Sequence, residues 1–128
     1  MIVDTSAVIA IIFKEPGYQK IIEKLVEAQY LGIGTPTLAE TGIVLSARLG
    51  VGARSLLEGL IQELGIIQIP FGEKHWREAI AAYNHYGRGR HPARLNFGDC
   101  LSYATAKLSG RPLLFVGDDF TKTDLAQP

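Results

Sequence analysis

The hydrophobic positions of the chain fall into two alternating patterns, short apolar runs and longer stripes with helical spacing. The short runs are rich in Ile, Val and Leu and predict four β-strands. These strands cover residues 2–3, 31–34, 66–70 and 113–116. Between them, apolar residues recur every three or four positions, which predicts amphipathic helices. The predicted helices cover residues 7–13, 16–30, 35–50, 51–64, 73–86 and 99–108.

Strands that alternate with helices in this way predict an α/β fold, with a central parallel sheet and helices on both faces. Residues with capping propensity mark the helix starts. Thr5 and Ser6 precede the first helix, and Thr35 and Pro36 are expected as N-cap and first residue of the third. No repeat or long linker divides the sequence, so residues 1–128 are expected to form a single domain.

Composition and charge narrow the functional classes. The chain has 13 basic and 13 acidic residues and no net charge, so no global field attracts it to nucleic acid or membrane. A polyanion must therefore be held by a local patch or a bound metal. The single cysteine excludes an internal disulfide. No apolar run is long enough to span a membrane, and the N-terminus lacks the basic segment of a signal peptide, so a cytoplasmic location is expected.

Carboxylates are predicted to converge at one edge of the sheet. Asp4 ends the first strand, Glu40 lies in the second turn of the helix after the second strand, and Asp99 opens the helix before the last strand. Asp118 and Asp119 directly follow that last strand. In right-handed βαβ units, the ends of the strands and the starts of the helices share one edge. The sequence therefore predicts an acidic cluster there.

Such a cluster calls for a cation, because two carboxylates about 4 Å apart repel by roughly 4 kcal/mol at an effective dielectric constant near 20. Oxygen ligands favour Mg²⁺ or Mn²⁺ over zinc, and His75, His85 and His91 lack the spacing of a zinc site. A Mg²⁺ cluster suits phosphate chemistry, where the metal activates a water and stabilises the displaced oxygen. The alternative is that these acids are only N-terminal caps of separate helices.

A few other polar residues are candidates for substrate contacts. Arg88, Arg90 and Arg94 form a local basic run before Asp99, which either holds a phosphate backbone or is merely solvated. Thr5, Ser6 and Asn96 either orient a metal-bound water or phosphate or cap helices, and capping is favoured for Asn96. Cys100 is expected to be a small buried hydrophobe, since no suitable base lies near it in the sequence.

Four motifs, taken in order, are similar to those of PIN-domain ribonucleases. They are residues 2–7 (Ile-Val-Asp-Thr-Ser-Ala), 37–40 (Thr-Leu-Ala-Glu), 95–100 (Leu-Asn-Phe-Gly-Asp-Cys) and 117–120 (Gly-Asp-Asp-Phe). Within that family the sequence most resembles the VapC toxins of type II toxin–antitoxin systems, over essentially the whole chain. The resemblance implies a PIN-like three-layer α/β/α sandwich and an endoribonuclease that depends on Mg²⁺ or Mn²⁺. It also implies a homodimer that is inhibited by a VapB-type antitoxin.

Carried over by position, Asp4, Glu40 and Asp99 match the acidic motif of the family and are implied to be catalytic metal ligands. Either Asp118 or Asp119 fills the fourth acidic position, and we favour Asp119. Ser6 matches the family's hydroxyl near the metal. We further expect a symmetric dimer to bury part of the apolar stripes on the helices at 16–30 and 51–64, with an antitoxin segment in the remaining groove.

Three other functions fit parts of the pattern. A haloacid-dehalogenase-like phosphatase uses an Asp at the end of the first strand, but it needs a second Asp where this chain has Ser6. A non-catalytic PIN-like module would only bind a partner, and intact acids at all four positions argue against it. A DNA nuclease of the same fold needs further elements to grip a duplex, for which the chain leaves little room.

Overall fold

A computed structural model gives the structure of the chain and describes residues 1–126 and residue 128. It contains four short strands and six α-helices among these residues. The strands are β1 Ile2–Val3, β2 Gly32–Gly34, β3 Ile67–Ile69 and β4 Leu113–Leu114. The helices are α1 Thr5–Ile12, α2 Tyr18–Glu27, α3 Thr35–Leu49, α4 Ala53–Leu64, α5 Glu73–Tyr86 and α6 Phe97–Ser109. Two 3₁₀ turns, Gly50–Gly52 and Asp119–Lys122, complete the elements.

The four strands form one parallel sheet in the order β3-β2-β1-β4. Ile2 of β1 lies opposite Gly32 on one side and Leu113 on the other. The chain moves outward from β1 through β2 to β3 and then returns to the far side of β1 to form β4. The direction of the strand order therefore reverses beside β1, and ligands of open α/β sheets bind at such a point, beyond the carboxyl ends of the strands.

The sheet separates two hydrophobic cores. Ile2 and Leu113 point into a core with α5 and α6, whereas their neighbours Val3 and Leu114 point into a core with α1 to α4. This follows from the alternation of side chains along a strand. The predicted three-layer α/β/α sandwich with a central parallel sheet is thus confirmed. In the described part of the chain, no helix is both long and apolar enough to cross a bilayer.

Several helices begin one or two residues away from their predicted starts, and their N-cap residues differ from the predicted ones. Asp4, rather than Thr5 or Ser6, is the N-cap of α1. Gly34 precedes α3 with extended backbone, so Thr35 is already helical and is not the N-cap. The last helix begins at Phe97 rather than Asp99, because the side chain of Asn96 caps it. These shifts leave the acids at the predicted edge.

Candidate active site

An open cleft of about 270 Å³ lies beyond the carboxyl ends of β1 and β4, where the strand order reverses. Three of the predicted acids line it, each from a different element. The lining residues are Asp4, Thr5, Ser6, Ile9, Glu15, Glu40, Asn96, Asp99 and Val116. The structure thus brings together Asp4, Glu40 and Asp99, as well as Ser6 and Asn96, as the sequence predicted.

Asp4 is the buried acid of this cleft, with only 5% of its surface exposed. Its Oδ2 accepts hydrogen bonds from the amide and the hydroxyl of Ser6, at 3.1 and 2.6 Å. Its Oδ1 accepts a hydrogen bond of 2.5 Å from the hydroxyl of Ser102. Ser6 Oγ in turn accepts from the amide of Val116, which directly ties the cleft to the segment after β4. Asp4 therefore caps α1 and is held rigidly at the same time.

Glu40 reaches the cleft from the second turn of α3 and is half-buried. The hydroxyl of Thr5 donates a hydrogen bond of 2.7 Å to Glu40 Oε1. Thr5 Oγ1 also lies 2.9 Å from Thr41 Oγ1, and the Thr41 hydroxyl donates to the carbonyl of Thr37 at 2.7 Å. These threonines join the start of α1 to α3, so the position of Glu40 is coupled to that of Asp4.

Asp99 is the third residue of α6 and shares a reciprocal cap with Asn96. The Asn96 amide donates to Asp99 Oδ2 at 3.0 Å, and the Asp99 amide donates to Asn96 Oδ1 at 2.9 Å. The pKa of Asp99 is raised to about 6, chiefly by burial, against the opposing hydrogen bond from Asn96. The negative charges of Asp4, Asp119 and Glu40 add to the rise. The charges of these three carboxylates therefore reach Asp99.

The two candidates for the fourth acid differ in their relation to Asp99. Both Asp118 and Asp119 are exposed, and neither lines the cleft. Asp119 begins a 3₁₀ turn and its charge acts on Asp99, whereas Asp118 is not among the groups that do so. The Asp118 carbonyl accepts a hydrogen bond from the Thr121 hydroxyl instead. The charge of Asp119 thus reaches the cleft, although its side chain does not line it.

The acids of the cleft have no basic partner within the described ranges 1–126 and 128. The ion pairs found there join Arg54 to Glu58, Arg77 to Glu73 and Lys107 to Asp124, all away from the cleft. No group of three or more His, Cys, Asp or Glu side chains among these residues forms a ready-made metal site. The carboxylates that line the cleft offer oxygen donors, which suit a hard cation such as Mg²⁺, since this ion usually keeps several waters and takes only one or two protein carboxylates.

The arginines of the predicted basic run lie outside the acidic cleft. Arg88, Arg90 and Arg94 are exposed on the loop between α5 and α6, and none of them lines the cleft. The guanidinium of Arg90 lies 5.3 Å from the centroid of the Tyr83 ring. The loop is tied down by hydrogen bonds between the ends of the segment 86–95, including Leu95 N to Tyr86 O at 3.0 Å.

Sequence reasoning missed Ser102, which donates to Asp4, and Glu15, which lines the cleft. Ser102 lies three positions after Asp99, a helical spacing that places both on one side of α6 and is the one available signal. Glu15 follows the end of α1 and turns back to line the cleft, and no local pattern marks it. The prediction for Cys100 is confirmed, because it is buried and its pKa is raised to about 11 by burial and by the neighbouring Asp99.

Comparisons with known proteins agree with this geometry. A family model described as PIN domain matches residues 1–125. Ribonuclease VapC36 of Mycobacterium tuberculosis is 47% identical over 126 residues, which cover 98% of this chain and 91% of that protein. Ribonuclease VapC30 of the same species is 40% identical over 127 residues, or 98% and 96% of the two chains.

Solved structures with the same fold include M. tuberculosis VapC20, described as a sarcin–ricin loop cleaving toxin. It superposes with a TM-score of 0.79 over 99% of this chain and 97% of its own, at 16% identity. A second neighbour is FitAcB from Neisseria gonorrhoeae, with a TM-score of 0.70 over 98% of this chain and 94% of its own, at 19% identity. A toxin–antitoxin complex from Klebsiella pneumoniae aligns with a TM-score of 0.69 over 96% and 92% of the two chains, at 18% identity.

Proposed function

The chain belongs to the PIN domain family, and from this membership and the cleft of carboxylates we propose that it is the ribonuclease toxin of a type II toxin–antitoxin system. The observation that carries the proposal is the convergence of Asp4, Glu40 and Asp99 from three elements, in a protein 47% identical to a named VapC ribonuclease. The reaction is hydrolysis of a phosphodiester bond within RNA. We propose further that residues 1–128 act as one domain.

The cleft acids are proposed to hold one or two divalent cations, with Mg²⁺ or Mn²⁺ as the natural choices for an all-oxygen site. Asp4, Glu40 and Asp99 would be the ligands, with Asp119 as the fourth acid and Asp118 as its less favoured neighbour. When bound, such a cation activates a water at neutral pH and stabilises the charge of the displaced oxygen. The pKa of Asp99 is raised chiefly by burial and further by the charges of Asp4, Asp119 and Glu40, and this repulsion supports the assignment because a bound cation would relieve it.

Hydrogen bonds from neighbouring side chains would orient the carboxylates of the cleft. Ser6 and Ser102 hold the two oxygens of Asp4, and Thr5 holds Glu40, so both carboxylates keep fixed directions before substrate arrives. Asn96 lines the cleft beside Asp99, and we propose that its side chain contacts a substrate phosphate. No histidine lines the cleft among the described residues, so no imidazole base is available there.

Because water rather than the ribose 2′-hydroxyl is the nucleophile, the products should carry 5′-phosphate and 3′-hydroxyl ends. We propose single-stranded or loop RNA as the substrate, since a cleft of about 270 Å³ does not admit a stacked duplex without distortion. Arg88, Arg90 and Arg94 are proposed to contact the RNA backbone outside the cleft. Their removal should then weaken binding and its salt dependence more than the chemical step.

The proposed partners follow from the same assignment. Structural neighbours of the chain include a toxin–antitoxin complex, which supports an antitoxin of the VapB type as the inhibitor. We also propose a symmetric homodimer, because several large apolar side chains of the described residues are exposed on the surface. An RNA target and a cognate antitoxin would place the protein in the cytoplasm.

The reaction is tested by digesting a structured RNA with Mg²⁺ and ligating an adaptor directly to the new 3′ ends. Direct ligation is expected, and both EDTA and Asp4→Asn should abolish cleavage. Val51→Ala, a change at a fully exposed side chain, serves as the active control. New ends that need phosphatase treatment first, or cleavage that survives both EDTA and Asp4→Asn, would contradict the proposed reaction.

Metal binding is tested separately by titrating Mn²⁺ into the protein in a calorimeter. Binding is expected for the unmodified chain and should be lost or strongly weakened by Asp99→Asn, which keeps the shape of the side chain. Asp118→Asn is the matched control and should weaken binding less than Asp119→Asn. Equal binding by all of these variants would show that Asp99 and Asp119 are not metal ligands.

A further inference from the structure

The carboxylate of Glu40 lies directly against the backbone of Gly98 in the first turn of α6. A Cβ built on Gly98 would lie 2.3 Å from Glu40 Oε2, 2.9 Å from its Cδ and 3.0 Å from Oε1. The first two distances are shorter than real Cβ contacts and the third is tighter than most of them, so a side chain at position 98 and the observed position of Glu40 exclude each other. Gly98 is itself buried at this point of contact.

The backbone of Gly98 gives no other reason for a glycine. The residue lies inside α6 and does not adopt the positive φ at which glycine is favoured. Alanine is the better residue in a helix, so local propensity alone opposes glycine here. Gly59 in α4 offers a contrast, because a Cβ there would meet no atom within 4 Å. The space above Gly98 is therefore used by the Glu40 carboxylate.

We infer that Gly98 is a positioning residue for the proposed reaction, because its missing side chain creates the seat of the Glu40 carboxylate. On one side of the seat, the Thr5 hydroxyl donates to Glu40 Oε1 at 2.7 Å. On the other side lies the N-terminal turn of α6, where the helix dipole favours a negative charge. The seat also keeps Glu40 next to Asp99, the residue that follows Gly98, and Glu40 acts electrostatically on Asp99.

The proposal predicts a variant that is at least as stable as the unmodified chain but less active. Gly98→Ala should fold, because the atom in its way is the far end of a flexible side chain that can move aside. Its kcat for RNA cleavage should fall at least tenfold with little change in KM, since Glu40 is displaced while the rest of the cleft is kept. Gly59→Ala, the matched helical control, should leave both constants unchanged.

A double-mutant cycle provides a readout that does not depend on activity. In EDTA, the urea midpoints of the four chains with and without Gly98→Ala and Glu40→Ala are compared. Gly98→Ala should raise the midpoint more in the Glu40→Ala background than in the unmodified chain, because the Glu40 carboxylate no longer occupies the space that the added methyl group needs. In that background, the increase should approach the one that Gly59→Ala produces.

The outcomes separate this inference from the proposed function on which it rests. If the unmodified chain fails to cleave RNA, the proposed function fails, while the stability cycle still tests the seat. If Gly98→Ala cleaves normally and shifts the midpoint equally in both backgrounds, the inference that Gly98 positions Glu40 is wrong. Should Gly98→Ala fail to fold, the double variant with Glu40→Ala must recover folding. A double variant that also fails to fold would overturn the inference.

Discussion

Asp4 stays buried beside other acids because both of its carboxylate oxygens accept hydrogen bonds. The one from Ser102 crosses from α6 and is the only hydrogen bond to Oδ1 found within the described residues. Ser102→Ala should therefore lower the free energy of unfolding by about 1–3 kcal/mol, the usual cost of leaving a buried charged acceptor short of a donor. Urea unfolding measures this difference directly.

A second serine provides the control for this prediction. Ser46 also sits on a helix and donates a hydrogen bond of 2.7 Å, but to the Gly42 carbonyl on an exposed face. Ser46→Ala should change the free energy of unfolding by no more than about 0.5 kcal/mol. Equal losses in the two variants would show that Ser102 contributes no more to Asp4 than a surface hydroxyl contributes to its helix.

The raised pKa of Asp99 predicts a pH dependence of stability in the metal-free protein. The folded value of about 6 lies above the unfolded value near 4, so between these pH values only the unfolded chain has lost the proton. The contribution of Asp99 to stability is complete below pH 4 and is lost as the pH rises through 6. Asp99→Asn cannot titrate, and its amide oxygen can still accept from the Asn96 amide.

The free energy of unfolding of Asp99→Asn, relative to the unmodified chain, should therefore rise by about 1 kcal/mol between pH 4.5 and pH 7.5. This change is smaller than the full free-energy equivalent of the pKa shift, because the side chain is partly exposed to solvent, which screens the interaction. Urea unfolding in EDTA at the two pH values measures it. A difference that stays constant or falls with pH would contradict the raised pKa.

At the scale of elements, the segment after β4 is held in place by α6. Phe120 is buried and its ring lies 5.1 Å from that of Phe115. Asp124 accepts a hydrogen bond of 2.5 Å from the Tyr103 hydroxyl and forms an ion pair with Lys107. Burial opposes ionisation of Asp124, but these two partners outweigh it and hold its pKa below the ordinary value. Asp119 lies on the same anchored segment.

Tyr103→Phe removes the hydroxyl from this anchor without leaving a cavity. Amide hydrogen exchange across residues 119–126 should become faster, and the unfolding free energy should fall by about 1 kcal/mol, the usual contribution of one hydrogen bond. Tyr83→Phe, at an exposed ring of α5, should change neither quantity. Exchange that rises equally throughout the chain would instead indicate a global loss of stability.

The sequence was sufficient to predict the elements because their signals are local. Short apolar runs marked all four strands, and apolar patterns together with capping residues marked all six helices, including α5 with its observed bounds Glu73–Tyr86. Topology then placed Asp4, Glu40 and Asp99 at one edge. The hydroxyl network and the seat of Glu40 were not predictable, because Ser102 meets Asp4 across 98 positions and Gly98 meets Glu40 only after folding.

At the scale of the whole molecule, the apolar surface is not confined to the two helices on which the sequence placed a dimer. Val26 on α2 and Val51 before α4 are exposed, as expected there. A second apolar surface surrounds Phe97, whose ring is 80% exposed between two hollows of about 310 and 500 Å³. Ile43 of α3 and Ile80 of α5 line these hollows and are also more than half exposed.

The surface around Phe97 is the better candidate for the proposed homodimer, because its exposed side chains come from three elements and adjoin one another through the two hollows. A twofold interface buries the same patch on both copies, so a single substitution introduces a charge on each side of the interface. Ile80→Asp should therefore convert the protein to a monomer at about 20 μM, measured by light scattering with a calibrated mass. Val51→Asp, at a fully exposed valine on the other surface, should leave the dimer intact. The opposite result, a monomer with Val51→Asp and a dimer with Ile80→Asp, would return the interface to the helices around α4.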